Sequence, residues 1–596
     1  MKKKLLVTTA IKDTWGTNEE ILFLGKWCLP ISFNKTLEQR TTYVSDYHWR
    51  DRKKLKEDHA YLEKLNEITL GFLANFLNEF HNIHRDIEYW RIIVGPWLLN
   101  YIPVIWDRWE SLSYVKSQLK NDHIETFCIN TFAPREIPID FTNALHFFDS
   151  DQWNHQIYSS IMMSRNDLNI KTNLINSTLN IERIIPLYRL NLLQYFYKFF
   201  LQSIDKFCNL ISYRKRKFVL FHSYFPRGFL FKLCLRLKIL PGANSFLSKE
   251  IKYPQAMNRN DLDNLNIKSK GDSNIKSFES FLSDNILKDL PIAYLEGYKA
   301  LIKIQSKLFD AENIFTANAH FASELFKVWS AEQKSKGSKL IISSHGGALY
   351  PLYTVFNHQE KIADTRIIWG QPWMTGQTRM PANKIHTKVK NYNKLGDISL
   401  IDYDSQKYSY RCASIPMGPL VLDGFNQKRK FIQKLSQSNK NIFKVRPFPF
   451  GGWDTKARYI DAFGKDIISK DRSLTDTILN SRLLICAYPQ TAFSEAMFSG
   501  IPTMLLYEEK FWEVQSIYDE LINLLKETNI IHTSSTSAVR HLERIVEDPM
   551  RWWNESKTNI ARKKFNDVCL TIDPDPLNAW VKLFERLSKE TRELNE

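Results

Sequence analysis

The sequence predicts an α/β protein built as two doubly wound, parallel-sheet domains facing each other, with helical additions in the N-terminal half. Three observations lead there. Apolar, strand-like runs alternate with helical spacing in "ENIFTANAHFASELFKVWSAEQKSKGSKLIISSHGGALY" (312–350), the alternation from which parallel sheets are built. The same alternation returns in "NIFKVRPFPF" (441–450) and "LLICAYPQTAFSEAMFSGIPTMLL" (483–506), after loop-like sequence around 370–395. With 596 residues, 43% of them hydrophobic, the chain is long enough for more than one core. The domains are placed at 1–390 and 391–596.

The elements follow in order. "KKLLVTTA" reads as a buried strand by its apolar, β-branched run, and "EEILFLGKWC" as a second. From Asp51 to Phe80 the apolar spacing becomes helical. "YWRIIVGPWLLNYI" follows, and then "IWDRWESLSYVKSQL", a helix continuing to Lys120. Residues 186–218 form a long amphipathic segment with a basic end, suited to packing on its own domain or to facing a membrane. "KFVLFHSYF" is the next strand. Residues 255–290 are rich in Asn, Asp and Ser and read as a loop excursion.

The formal net charge of +17 calls for an anionic partner or surface. Nucleic acid is set aside, because the basic residues are scattered and no recognition motif stands out. Seven cysteines lie far apart without a CxxC pair, which argues against a disulfide framework or zinc site and for a reducing compartment. His81 and His84 in "HNIH" lack partners for a metal. The apolar run after the N-terminal lysines is too short for a signal peptide, and no stretch approaches the roughly 20 apolar residues of a membrane span. The expected location is the cytoplasm, with peripheral contact to a membrane face.

Four stretches carry candidate chemistry. In "SSHGGALYP" His345 emerges at a strand end, where open α/β sheets bind ligands, and its ordinary pKa suits a general base. Gly346 and Gly347 behind it permit close backbone approach. "WGQPWMTGQTRMPANK" (369–384) offers Arg379 and Lys384 to phosphates, or is a domain connection. In "KVRPFPFGGWDTKARY" (444–459) Arg446 suits bidentate phosphate contacts and Trp453 suits stacking on a ring. The helix that opens Gln490, Thr491 has a positive dipole end and hydroxyls at Thr491 and Ser494. Glu495 in that helix fits either a cap or the acceptor of two ribose hydroxyls. A fifth group, the N-terminal Trp/Arg/His/Asp blocks, reads as a polar-aromatic pocket or as an aromatic core with snorkelling arginines.

"LLVTTAIKDTWGTNEEILFLGKWC", "YHWRDRKKL", "YWRIIVGPWL" and "DRW", in this order, resemble a family of transferases from bacterial O-antigen and surface-polysaccharide loci, named after a Leptospira member. The HGG, WG-loop and SEAM/GIPT segments extend the resemblance over nearly the whole chain, and the last is similar to the nucleotide-binding half of GT-B glycosyltransferases. The resemblance implies two Rossmann-like domains facing a cleft, with the acceptor side in 1–390 and the nucleotide-sugar side in 391–596. It implies that Thr491, Ser494 and Glu495 line the donor site, with Arg446, Gln490, Gly346, Gly347 and Lys384 beside them, and that His345 faces the acceptor as base. If configuration is retained, Asp13 or Asp454 would act instead. The implied partners are a nucleotide-sugar donor, a lipid-linked or polysaccharide acceptor and an anionic inner membrane, with no metal and no cofactor. Two departures stand out: Ser344 where relatives often carry Gln, and Phe448 where similar polyol-phosphate polymerases place a histidine. Rival readings are a CDP- or CMP-linked polyol-phosphate or ulosonic-acid transferase, and a non-catalytic nucleotide-sugar-binding assembly protein.

Overall fold

The computed structural model describes residues 3–17, 20–29, 42–118, 123–129, 135–175, 215–240, 251–262, 277–384, 388–389 and 391–593, with 199 and 203. Most of the amphipathic segment at 186–218 lies outside these residues. The described chain forms three five-stranded sheets, every strand pair parallel.

The first sheet joins β1 (Lys3–Val7), β2 (Glu20–Phe23), β3 (Thr42–Val44), β4 (His123–Ile129) and β5 (Ile170–Ile175) in the order β3-β2-β1-β4-β5. The second joins β6 (Lys215–Leu220), β7 (Asp310–Thr316), β8 (Lys339–Ser343), β9 (Thr365–Ile368) and β10 (Gln377–Arg379) in strict sequence. The third joins β11 (Asp397–Ile401), β12 (Phe443–Arg446), β13 (Ser481–Cys486), β14 (Thr503–Leu506) and β15 (Ile531–His532) as β12-β11-β13-β14-β15. The sequence led to two sheets, and the structure has three. The extra sheet escaped because β4 and β5 mix polar with apolar residues; β5 (IKTNLI) is nowhere fully buried and lacks the apolar run of a central parallel strand.

Helices depart from expectation at two places. "YWRIIVGPWLLNYI" and the segment after it are one helix, Ile87–Gln118, which runs through Pro96 and Pro103. Proline removes a ladder donor there, and burial of Trp90, Trp97 and Tyr101 holds the helix in place, while within it Asn100 donates to the Pro96 carbonyl at 2.7 Å. The polar excursion also holds the helix Phe278–Asp289, capped by Ser277 and packed through Phe278 on Trp106 and Trp109.

The N-terminal Trp/Arg blocks form a buried lock between units. Arg108 donates to Asn154, Asp107 and the carbonyls of Phe148 and Ser409. Asp107 also accepts from Tyr47 at 2.6 Å and contacts His48 at 3.0 Å. A charge-assisted network this complete ties the long helix to the loop after β11. The last helix, Pro576–Glu593, packs Trp580 and Phe584 on the second sheet, beside Phe218, Phe315 and the helix Arg227–Leu237.

Candidate active site

The third sheet reverses its strand order between β11 and β13, where open sheets leave a crevice beyond the carboxyl ends. Chain leaving β13 passes Ala487–Gln490 and enters the helix Thr491–Ser499. Opposite stands the carboxyl end of β8, continuing into His345-Gly346-Gly347. Three contacts join the two ends, and two more tie the chain after the HGG loop to the segment that follows β14. Gly347 N donates to Thr491 Oγ1 at 3.3 Å, and Ser494 Oγ donates to the Gly347 carbonyl at 2.7 Å. Backbone bonds run from Leu349 to Pro489 (3.1 Å), from Leu352 to Glu513 (2.8 Å) and from Gln515 to Tyr350 (3.0 Å).

Between them lies a cleft of about 650 Å³, counted with its open mouth, lined among others by Ser344, His345, Gly346, Gly347, Gln490 and Thr491. Tyr350 stacks on Trp373 with ring centroids 4.1 Å apart on its wall. The sequence-predicted HGG loop, WG loop and helix start therefore meet at one place. Gln490 is the N-cap residue but makes no side-chain cap bond, which leaves the first helical amides without that partner.

Electrostatics here are cationic. Burial and the charges of Arg366, Lys384 and Arg411 push the His345 pKa down to about 4, while a backbone bond with Ala317 opposes the shift. Its Nδ1 is buried without a hydrogen-bond partner, and its ring lies edge-on to Phe356 at 4.9 Å. Arg366 donates to Ser344 Oγ at 3.1 Å and pairs with Glu360 at 2.9 Å. Ser344, which stands where a glutamine was expected, links Arg366 to the Tyr350 hydroxyl 2.8 Å away. Lys384 and Glu495 face each other at 3.5 Å. Burial raises the Glu495 pKa and Lys384 opposes it.

Other sequence-predicted residues stand elsewhere. Arg446, at the end of edge strand β12, donates to the Asp471 carbonyl at 3.2 Å and Thr477 Oγ1 at 3.4 Å. Arg379, exposed, donates to Thr571 Oγ1 and the Asp567 carbonyl. Trp453 is buried, so its ring is not open to a ligand. Asp454 caps the helix Thr455–Phe463 by accepting from Ala457 N at 3.1 Å. Asp13 sits exposed on a turn after β1. None of these lines the cleft. His81 of "HNIH" is bound to the Tyr294 carbonyl at 3.0 Å. Arg366 and Arg411 were missed. For Arg366 the available signal was an arginine inside the otherwise apolar "TRIIW" strand, buried in the fold.

The comparisons bear on what such a cleft does. The family model described as LIC12162 family transferase matches residues 4–584, nearly the whole chain. No curated protein matches it.

Proposed function

The chain belongs to the LIC12162 family of transferases, and from that premise we propose that it moves a sugar from a nucleotide-activated donor to a hydroxyl of a growing surface polysaccharide, of O-antigen or capsule type. The observation that carries this reading is the cleft at the HGG loop: Arg366, paired with Glu360, lines it with His345 opposite the helix start at Thr491, and the charges of Lys384 and Arg411 also reach His345. A nucleoside diphosphate needs such a set of fixed positive charges and free amides. We read the two facing sheet ends as a GT-B-like arrangement and assign the donor to the third sheet and the acceptor to the second.

In this reading the donor phosphates lie against the three cations and the amides after Gln490, and Glu495 accepts from the ribose hydroxyls. Ser494 holds the HGG loop by donating to the Gly347 carbonyl, while Thr491 Oγ1 accepts from Gly347 N and keeps its own O–H for the donor phosphates. As the acceptor oxygen bonds to the anomeric carbon, the carbon–oxygen bond to the phosphate breaks and the nucleotide leaves with the electron pair. His345 takes the acceptor proton. Its depressed pKa keeps it neutral at physiological pH, and donor phosphates would cancel part of the cationic field and raise its basicity. The cations supply the charge the leaving group needs, so the transfer is assigned neither metal nor cofactor.

Calorimetry and thermal shift against UDP, GDP, dTDP, CDP and CMP test this. One nucleotide should bind, Glu495→Ala should weaken it about tenfold, and His345→Ala should keep binding while turnover falls on the order of 10²–10⁴-fold. A preference for CDP or CMP would favour polyol-phosphate or ulosonic-acid transfer instead. Silence across the panel would defeat the nucleotide-sugar reading.

A further inference from the structure

The helix Arg227–Leu237 is apolar on two faces. Leu233, Cys234 and Leu237 are buried, two of them in the cluster formed with Trp580 and Phe584. On the opposite side Phe231 and Leu235, one helical turn apart, are 58% and 62% exposed. Tyr224 before the helix and Leu240 after it are also exposed, at 40% and 43%. Lys232 and Arg236 flank the strip and Lys238 closes it, all exposed. None of these three cations has an ion-pair partner among the described residues, and residues 221–240 contain no Asp or Glu.

A single exposed leucine needs no explanation, but large apolar side chains stacked on one turn beside uncompensated cations do. We propose that this face docks on an anionic lipid bilayer. Phe231 and Leu235 enter the boundary between headgroups and acyl chains, as an interfacial helix does, and Lys232, Arg236 and Lys238 meet the lipid phosphates. A second copy of the chain is a poorer occupant, since it would bring the same three cations against each other. The net charge of +17 favours the same surface.

The position of this helix gives the contact a consequence. The Ser223 carbonyl, just before it, accepts from Asn383 Nδ2 at 2.6 Å. The next residue, Lys384, pairs with Glu495, and its charge reaches His345. The docking helix is thus joined through two consecutive residues to the surroundings of the cleft. The docking itself does not depend on which group is transferred.

Cosedimentation of the full chain with vesicles tests it. The wild type should partition onto phosphatidylglycerol/phosphatidylethanolamine vesicles, release as salt rises, and stay free of pure phosphatidylcholine vesicles. Phe231→Ser with Leu235→Ser, and separately Lys232→Glu with Arg236→Glu, should each reduce partitioning at least about tenfold. Thermal melting and nucleotide binding should remain unchanged, which separates lost docking from lost folding and from any failure of the transfer reading. The proposal is overturned if the wild type stays in the supernatant, binds both vesicle types alike, or is matched by both double variants. It is equally overturned if the variants change only the protein's own oligomeric state.

Discussion

Gly346 has no room for a methyl group: a Cβ there would stand 2.4 Å from Thr491 Oγ1, with the Thr491 Cβ next at 3.8 Å. Gly346→Ala should therefore push the HGG loop off the helix start and cost about 1–3 kcal/mol, with loss of turnover. Thr491→Ala removes the obstructing oxygen and one long hydrogen bond, at about 1 kcal/mol. The double variant should then be more stable than the two single costs added together, since the residues share one contact. Additive melting data would show that the clash does not govern the site. At this scale His345, Gly346, Gly347 and Thr491 were legible in the sequence, because a strand end, a glycine pair and a helix start are local signals. Arg411 was not: only packing brings the segment after β11 to His345, and nothing in "SYRCAS" announces that neighbour.

Among the elements, the last helix shows how far a segment can act from its sequence neighbours. Pro576–Glu593 follows the third sheet in the chain, yet Phe584 packs on Phe218 (5.2 Å) and Phe315 (5.4 Å) of the second. Its apolar spacing was readable as a helix with one buried face, but the spacing carries no information about which sheet receives that face. The same limit applied to β4 and β5, whose polar residues hid the first sheet, in which β4 pairs with the apolar β1 and β5 with β4. Phe584→Ala should cost roughly 3–5 kcal/mol. The loss should be local: hydrogen exchange should accelerate first in β6, β7 and the helix Arg227–Leu237, while β11 and β13 keep their protection. Uniform acceleration over all three sheets would mean instead that the molecule opens as one unit.

Across the whole molecule, buried histidines make stability depend on pH. Burial lowers the pKa to about 4 for His81, His155, His345 and His532, and to about 3 for His358 and His541. These groups are spread over the long N-terminal helices, the cleft and the third sheet. Each is neutral when folded, while the unfolded chain takes up its proton near pH 6.5. Between the two values the unfolded state binds more protons, so stability rises with pH there and is lost on acidification. At about 1.4 kcal/mol per pKa unit, each of these histidines contributes an acid sensitivity of a few kcal/mol, and all six act in the same direction. Carboxyls raised by burial work in the opposite sense: Asp149, raised to about 6, and Glu324, Glu360, Asp404 and Glu495 contribute stability that is lost as pH rises through their folded values. Urea titrations should thus show the unfolding midpoint falling from pH 7 to pH 5, well above the ordinary carboxylate range. His541→Gln should flatten the slope, because it removes one of the protons the unfolded chain gains. A midpoint that holds level down to pH 5 would mean that water already reaches these imidazoles in the folded protein.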